Sequence, residues 1–430
     1  MDRRERIDWF MRKGRRRGHR NSMVFGVCMI ILASTVLTGC QAHKYDRIEL
    51  ETSVQEEIHI NIEDGSGDED AGIVIDQEPV GKESSSQDII GKAPSGQENV
   101  DGDVPGQDAA RSGNQDAATL LFGGDVLLSS HVLNAYQSAG GIHGVLDEGY
   151  RKVIRDAGFF MVNEEFPFSS RGVQAEDKEY TFRLEPERVS MFQEMGIDAV
   201  TLANNHALDF GQEALLDSVA VLDGAGILHT GAGANLTEAR KPVEIVIDGQ
   251  RIAVIGATRV IPESSWAAGK NHPGMLSSYD ATELLKEIRA QKDEGKLVIV
   301  YVHWGIERDE NPQEYQRTLG QQYIDAGADL VIGSHPHVLQ GIEYYKGKPI
   351  VYSLGNFVFG SSIPKTMLLE VKLPEEDAPL RLRLIPGTSG AGYTRMLNDA
   401  GKIQEFYQYI ESISFGISIG ADGTVIPQNQ

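Results

Sequence analysis

Five apolar runs of strand length constrain this chain most. Each closes on side chains able to bind a metal ion or move a proton. Residues 118–128 (ATLLFGGDVLL) carry Asp125 after Gly123-Gly124, and residues 159–163 lead into Glu164-Glu165. Residues 199–202 lead into Asn204-Asn205-His206, with Asp209 three residues on. Residues 297–302 lead into His303, and residues 330–332 lead through Gly333-Ser334 into His335-Pro336-His337. Short continuous apolar runs bounded by turns read as strands buried on both faces. Helical periodicity alternates with them over residues 185–195, 212–225, 282–292 and 314–326, and Pro186 suits a first helical turn. Asp248-Gly249 joins 243–247 to 251–255 as a hairpin, and Lys346-Gly347 does the same for 341–344 and 349–354. Further strands are expected at 367–373 and 380–385, then a helix near 402–411 and a polar tail. This alternation predicts an α/β domain with mixed sheets. The polar residues collect where such folds assemble sites, outside the carboxyl ends of strands.

Each position alone has an ordinary explanation. An Asp after Gly-Gly serves as a turn residue, and adjacent glutamates as a solvated pair. Asn205 or Asp209 suits the cap of the helix from Gln212. His303 beside Trp304 suits a satisfied core histidine. His335 and His337 are more specific, because i and i+2 on a strand share one face and can address one ion. Five strand ends offering oxygen or imidazole together point to a metal-centred site. Hard oxygen ligands with imidazole suit Mn, Fe or Zn. Such an ion lowers the pKa of water and polarises a phosphoryl or carbonyl oxygen. His206 is placed to protonate a leaving oxygen, Glu307 to orient His303, and Asn356 to line the pocket.

Composition sets outer limits. The 430 residues hold 63 Asp and Glu against 40 Lys and Arg, a formal charge of -23. That excludes a dedicated nucleic-acid binder, which needs clustered cations. Two cysteines exclude a disulfide framework and a Cys-rich zinc fold. Residues 1–20 carry nine basic and three acidic side chains, and an uncharged apolar run follows over 23–37. The run is short for a bilayer span and reads as a secretory signal. It ends in Leu37-Thr38-Gly39-Cys40, which resembles a bacterial lipobox. Residues 1–39 are therefore expected to be a lipoprotein signal peptide and Cys40 the lipidated residue. The protein is then extracytoplasmic, lipid-anchored to the bacterial cell membrane. Residues 41–115 hold 18 acidic and five basic residues and few aromatics, so 40–116 are expected to be a disordered acidic tether. Residues 117–415 form the expected domain and 416–430 a C-terminal tail.

GGDVLL, NEEFPFS, TLANNHALDFG, VHWGIE, GADLVIGSHPH and YSLGNFVFG, in this order, closely resemble the bacterial capsule-synthesis protein family of CapA type. Its members are associated with poly-γ-glutamate capsule production. The family is similar to calcineurin-like metallophosphoesterases, which implies two packed mixed β-sheets flanked by helices, a four-layer sandwich. The resemblance implies that Asp125, Glu165, Asn205, His303, His335 and His337 are ligands of one or two ions, with His206 catalytic near the leaving group. Leu127 stands where dinuclear phosphoesterases carry a histidine of the first motif. The implied function is capsule or related surface-polymer biosynthesis, with a metal-dependent hydrolase site of phosphoesterase type. The alternative is a non-enzymatic accessory protein that binds, guides or anchors the exported polymer. Implied partners are the membrane, an anionic surface polymer and a membrane polymer synthetase. An acidic chain repels a polyanion unless a metal or a local basic patch intervenes, and Lys178, Arg183, Arg188 and Arg259 are the candidates for that patch.

Overall fold

The computed structural model describes residues 119–374 and 378–428. The expected signal peptide, Cys40 and the acidic tether lie outside the described residues. No described helix is long and apolar enough to cross a membrane.

Strands β1 (Thr119–Val126), β2 (Phe159–Glu164), β3 (Ala199–Thr201) and β4 (Leu228–Thr230) alternate with helices α1 (Ser130–Ala139), α2 (Glu148–Asp156), α3 (Val189–Met195) and α4 (Gly211–Ala225). Next come β5 (Ala232–Gly233), α5 (Leu236–Ala239), β6 (Val243–Ile247), β7 (Gln250–Thr258) and β8 (Gly274–Met275). The chain continues through α6 (Thr282–Asp293), β9 (Leu297–His303), α7 (Glu314–Ala326) and β10 (Leu330–Ser334). A hairpin follows, β11 (Leu339–Tyr345) with β12 (Lys348–Leu354), and then β13 (Asn356–Val358), β14 (Ser362–Lys372), β15 (Arg381–Gly390) and β16 (Tyr393–Met396). Helix α8 (Ala400–Ile413) and the strands β17 (Ile417–Ile419) and β18 (Val425–Pro427) complete it.

Two mixed sheets result. One has the order β16-β15-β14-β1-β2-β3-β4, with β13 also beside β1, and the other has the order β11-β12-β10-β9-β7-β6. Strands β1 to β4 run parallel, as do β7, β9, β10 and β12. Side-chain alternation then sorts the core into layers. Leu120 and Phe122 of β1 meet Val254, Ile299 and Tyr301 of the second sheet. Leu121, Phe160 and Val162 turn the other way, toward Val132, Ile154, Phe192 and Leu215 on the helices. On the far side Val298, Val300 and Val302 pack under Leu284, Ile288, Tyr323 and Ile324 of α6 and α7. The architecture is therefore helix, sheet, sheet, helix, and each fully buried aliphatic or aromatic side chain contributes about 1.5–3 kcal/mol.

Two expectations are revised. The segment expected as one helix over 185–195 opens with a 3-10 turn at Pro186–Arg188, and α3 begins at Val189. The tail expected after 415 is a hairpin, β17 paired with β18, because Ile417 and Val425 bury into the inter-sheet core.

Candidate metal centre

Asp125 is placed by a change of partner within β1. Thr119 to Phe122 pair with β14, whereas Asp125 and Val126 pair with β13. The switch passes through Gly123-Gly124. A Cβ on Gly124 would lie 1.8 Å from the Gly355 carbonyl oxygen, so only glycine fits. The Asp125 amide donates to that same oxygen at 2.8 Å. In this register Asp125 lies opposite Asn163 on one side and Asn356 on the other.

The remaining groups arrive from the neighbouring strand ends. Glu165 follows β2, and its amide donates to Val126 O at 3.0 Å. His303 is the last residue of β9, and Asn205 Oδ1 lies 2.8 Å from its Nε2. On the other side of the ring, Nδ1 lies 3.0 Å from Ser334 Oγ and 3.3 Å from Asn163 Nδ2. Glu165 Oε1 is 3.4 Å from His303 Nε2 and Oε2 is 3.9 Å from His337 Nδ1, while Asp125 Oδ2 is 3.4 Å from His337 Nδ1. The His335 amide donates to Asp125 Oδ2 at 3.3 Å, and the His303 and His335 rings are 4.7 Å apart.

Three ligand groups fall within 4.8 Å spheres of potential donor atoms: Asp125, Glu165 and His337; Glu165, His303 and His335; Glu307, His335 and His337. Glu165 belongs to the first two, so it lies between them as a bridging carboxylate would. Both of its oxygens are buried without a hydrogen-bond partner among the described residues, and so is His335 Nδ1. Leaving a buried charged group unpartnered is costly. A cation between these atoms satisfies all three, so the residues fit a divalent ion.

The electrostatics agree with that fit. Burial raises Glu165 well above the usual carboxylate range, and the Asp125 charge adds to the effect. Burial and the neighbouring histidines hold His303 well down, and burial with His337 pushes His335 to about 3. Burial opposes charge on His337 too, but Glu165 and Asp125 outweigh it and lift the imidazole to about 10. Without an ion, burial thus favours a neutral Glu165, and His337 carries the compensating positive charge; a bound cation would take over that role.

His206 lies beside this cluster with its own support. Its Nδ1 is 2.7 Å from Asp209 Oδ2 and 3.0 Å from Lys178 Nζ. Asp209, which only accepts, calls for a proton on Nδ1, and the Lys178 ammonium, which only donates, for a lone pair; Nδ1 is engaged from both sides and Nε2 is the nitrogen left for a substrate. Phe182 packs against the ring at 4.5 Å. Burial lowers the His206 pKa, with Asp209 opposing.

Four expectations differ from the structure. His335 and His337 follow the end of β10 at Ser334 and take φ of 98° and 58°, a left-handed backbone that side chains other than glycine rarely adopt. They reach the cluster from a turn and do not share a strand face. Glu307 does not orient His303, whose nitrogens face Ser334, Asn163, Asn205 and Glu165; its carboxylate reaches toward His335 and His337. Neither Asn205 nor Asp209 caps α4, whose N-cap is Phe210; Asp209 instead accepts from Phe182 N at 2.7 Å and pairs with Lys178. The four cations form no common patch: Lys178 joins Asp209, Arg183 lies over Phe210, the exposed Arg188 ends the 3-10 turn, and Arg259 lies against Tyr279 and Tyr315. Asn356 does reach the cluster, its Oδ1 2.8 Å from His337 Nδ1.

The sequence placed Asn163 and Asn204 at strand ends but assigned neither a role of its own. Asn163 Nδ2 donates to Asp125 Oδ1 at 2.8 Å, and Asn204 Nδ2 donates to Asn163 Oδ1 at 3.0 Å. Asn204 Oδ1 accepts from the His206 amide at 3.0 Å. These two amides link Asp125 to His206 behind the ligands. The available signal was the placement of an asparagine directly at the end of an otherwise apolar strand.

Fold and site together define a two-sheet α/β protein with a buried carboxylate–histidine cluster, compatible with metal binding, at its strand ends. Residues 119–361, more than half of the chain, match the bacterial capsule synthesis protein family PGA_cap, and the chain belongs to that family. It is 32% identical over 255 residues to the "PGA biosynthesis protein CapA" of Bacillus subtilis, covering 59% of this chain and 66% of that protein. It is 34% identical over 208 residues to a "Probable polyglutamine synthesis accessory protein" of Mycobacterium tuberculosis, covering 46% of this chain and 54% of that one. The chain thus spans less than two thirds of either relative. Among solved structures, the NAD nucleotidase of Haemophilus influenzae superimposes with a TM-score of 0.41 at 13% identity, over 69% of this chain and 63% of that one.

Proposed function

We propose that this protein is a lipid-anchored accessory enzyme of capsular poly-γ-glutamate or related surface-polymer biosynthesis, with a metal-dependent hydrolase site. Family membership and the printed names of the relatives support the process. The observation that carries the chemistry is Glu165, a buried carboxylate with two unpartnered oxygens common to two ligand groups.

Asp125, Glu165 and His337 would hold one ion, and Glu165, His303, His335 and Asn205 a second. Their mixture of oxygen and imidazole suits Mn, Fe or Zn. A bound ion of this kind supplies a lowered pKa for water and polarises a phosphoryl or carbonyl oxygen. His206, held through Nδ1 by Asp209 and Lys178, would in its imidazolium form give the Nε2 proton to a leaving oxygen or nitrogen. Asn163 and Asn204 keep Asp125 and His206 in register. Cys40, lipidated, would hold the protein at the membrane beside a polymer synthetase.

The test is a chromosomal His335→Ala strain, scored for surface polymer. Loss of polymer supports the site's role, and a normal polymer layer contradicts it. Turnover of γ-glutamyl polymers or phosphoesters by the wild type, lost in His206→Asn, supports hydrolysis. The word "accessory" in the mycobacterial relative's name favours the second reading, a protein that only holds the polymer. Full metal loading without turnover of either substrate class selects that reading.

A further inference from the structure

Arg259 directly follows β7 and is tied to the metal-bearing edge, its amide donating to His303 O at 2.8 Å. Its guanidinium lies 4.6 Å from the Tyr279 ring and 4.8 Å from the Tyr315 ring. Two aromatic rings thus flank the guanidinium fork. Among the described residues the Arg259 guanidinium makes one long hydrogen bond, Nη1 to Ser278 O at 3.4 Å. Among the described residues no carboxylate pairs with it.

A cavity of about 400 Å³ opens on this fork, lined by Arg259, Tyr279, Glu314, Tyr315, Thr318 and Leu319. That volume lies in the range of small-ligand sites. Tyr315 also ties the cavity to the centre, its hydroxyl accepting from Gly305 N at 2.9 Å and lying 3.1 Å from Gly305 O. Gly305 is two residues from Glu307, whose carboxylate reaches the His335 and His337 pair.

We propose that the Arg259–Tyr279–Tyr315 cavity is a carboxylate-binding subsite that seats one pendant carboxylate of an amide-linked acidic polymer next to the metal centre. The inference rests on the polymer reading above and deepens it. A planar guanidinium flanked by two aromatic rings suits bidentate capture of a carboxylate. The tyrosine faces take methylene groups, and Glu314 accepts from a backbone amide N–H of the polymer. That last contact favours a carboxylate-bearing polyamide over a polyphosphate, which has no donor to offer Glu314. The subsite also answers the charge difficulty, since it gives an acidic protein one organised cation for a polyanion.

The test is calorimetric titration of the full chain with a γ-linked glutamate hexamer, the same hexamer fully amidated, and a phosphate oligomer of similar length. The glutamate hexamer should bind the wild type, and the amidated one should bind at least about tenfold more weakly. Arg259→Met and Arg259→Lys should each weaken the glutamate hexamer by about tenfold, the lysine variant because it lacks the fork. Tyr279 is exposed, so Tyr279→Ala leaves the fold intact and should weaken binding about threefold. Equal affinity in wild type and Arg259→Met overturns the subsite and leaves the polymer reading standing. Failure of the wild type to bind the hexamer overturns both. A phosphate oligomer that binds as tightly as the glutamate hexamer overturns the carboxylate assignment.

Discussion

Gly124 and Gly355 touch backbone to backbone, and their contact aims Asp125 at the centre. No side chain fits between them, because a Cβ at Gly124 would lie 1.8 Å from the Gly355 carbonyl oxygen. Gly124→Ala must therefore push β13 away from β1. We expect it to cost about 1–3 kcal/mol or more, as overpacking does, and to displace Asp125 and Asn356 together. Thermal unfolding and metal content measured on one sample check both. An unchanged melting temperature with full metal content would contradict the contact's role.

Glu165 separates binding from folding. Glu165→Gln preserves its shape but removes a buried carboxyl group that has no hydrogen-bond partner among the described residues and that burial already pushes toward its neutral form. The metal-free protein should lose no stability, since burial already disfavours the charged carboxylate that the variant lacks. Metal content should fall sharply. Unfolding with and without chelator, together with elemental analysis, distinguishes this outcome from a merely structural glutamate, whose replacement would lower the melting temperature and leave metal unchanged.

Lys178 holds the irregular segment 170–185 onto the site. It pairs with the fully buried Asp209 and donates to Asn205 O at 2.6 Å. Burial lowers its pKa, with Asp209 opposing. Lys178→Met strands part of a buried pair and should cost about 3 kcal/mol. Metal content should hold, because Lys178 touches none of the ligand side chains directly. Urea unfolding and elemental analysis of the variant check this.

Acid sensitivity has a source outside the centre. Asp329 accepts from Lys292 Nζ at 2.7 Å, Lys348 Nζ at 2.8 Å and the Val298 amide at 3.0 Å. Burial raises its pKa, but the lysines and the amide outweigh that, and the net shift is downward from 3.8. A depressed folded-state pKa gives stability that is present above the unfolded-state value and lost as pH falls through the folded-state value. Both lysines are partly exposed, so the contribution is discounted for screening. Asp329→Asn should cost about 1 kcal/mol at pH 7 and progressively less below about pH 4. Urea midpoints across that range check the trend.

The layers were legible because strands buried on both faces must be continuous apolar runs, and their polar ends then fall on one edge. The strand ends carrying Asp125, Glu164-Glu165, Asn204-Asn205 and His303 were readable on that basis, whereas the choice of Glu165 and Asn205 as ligands came from the family resemblance. The turn carrying His335 and His337 was not, because a left-handed backbone at two histidines is imposed by tertiary contacts, including the Asp125 carboxylate on the His335 amide. Asp209 looked like a helix cap because its spacing to α4 suits one, yet three partners in the site outbid the helix terminus. The support from Asn163 and Asn204 depends on strands adjacent only in space. The hairpin of β17 and β18 was hidden by polar composition, since two buried side chains, Ile417 and Val425, suffice to dock it.

The central claim is that the carboxylate–histidine cluster holds metal. The direct measurement is elemental mass spectrometry of the full chain against the double variant His335→Ala/His337→Ala, each after incubation with Mn, Fe or Zn. The account predicts one or two ions per chain in the wild type and loss in the variant. Metal absent from both proteins, or retained equally by both, would contradict it.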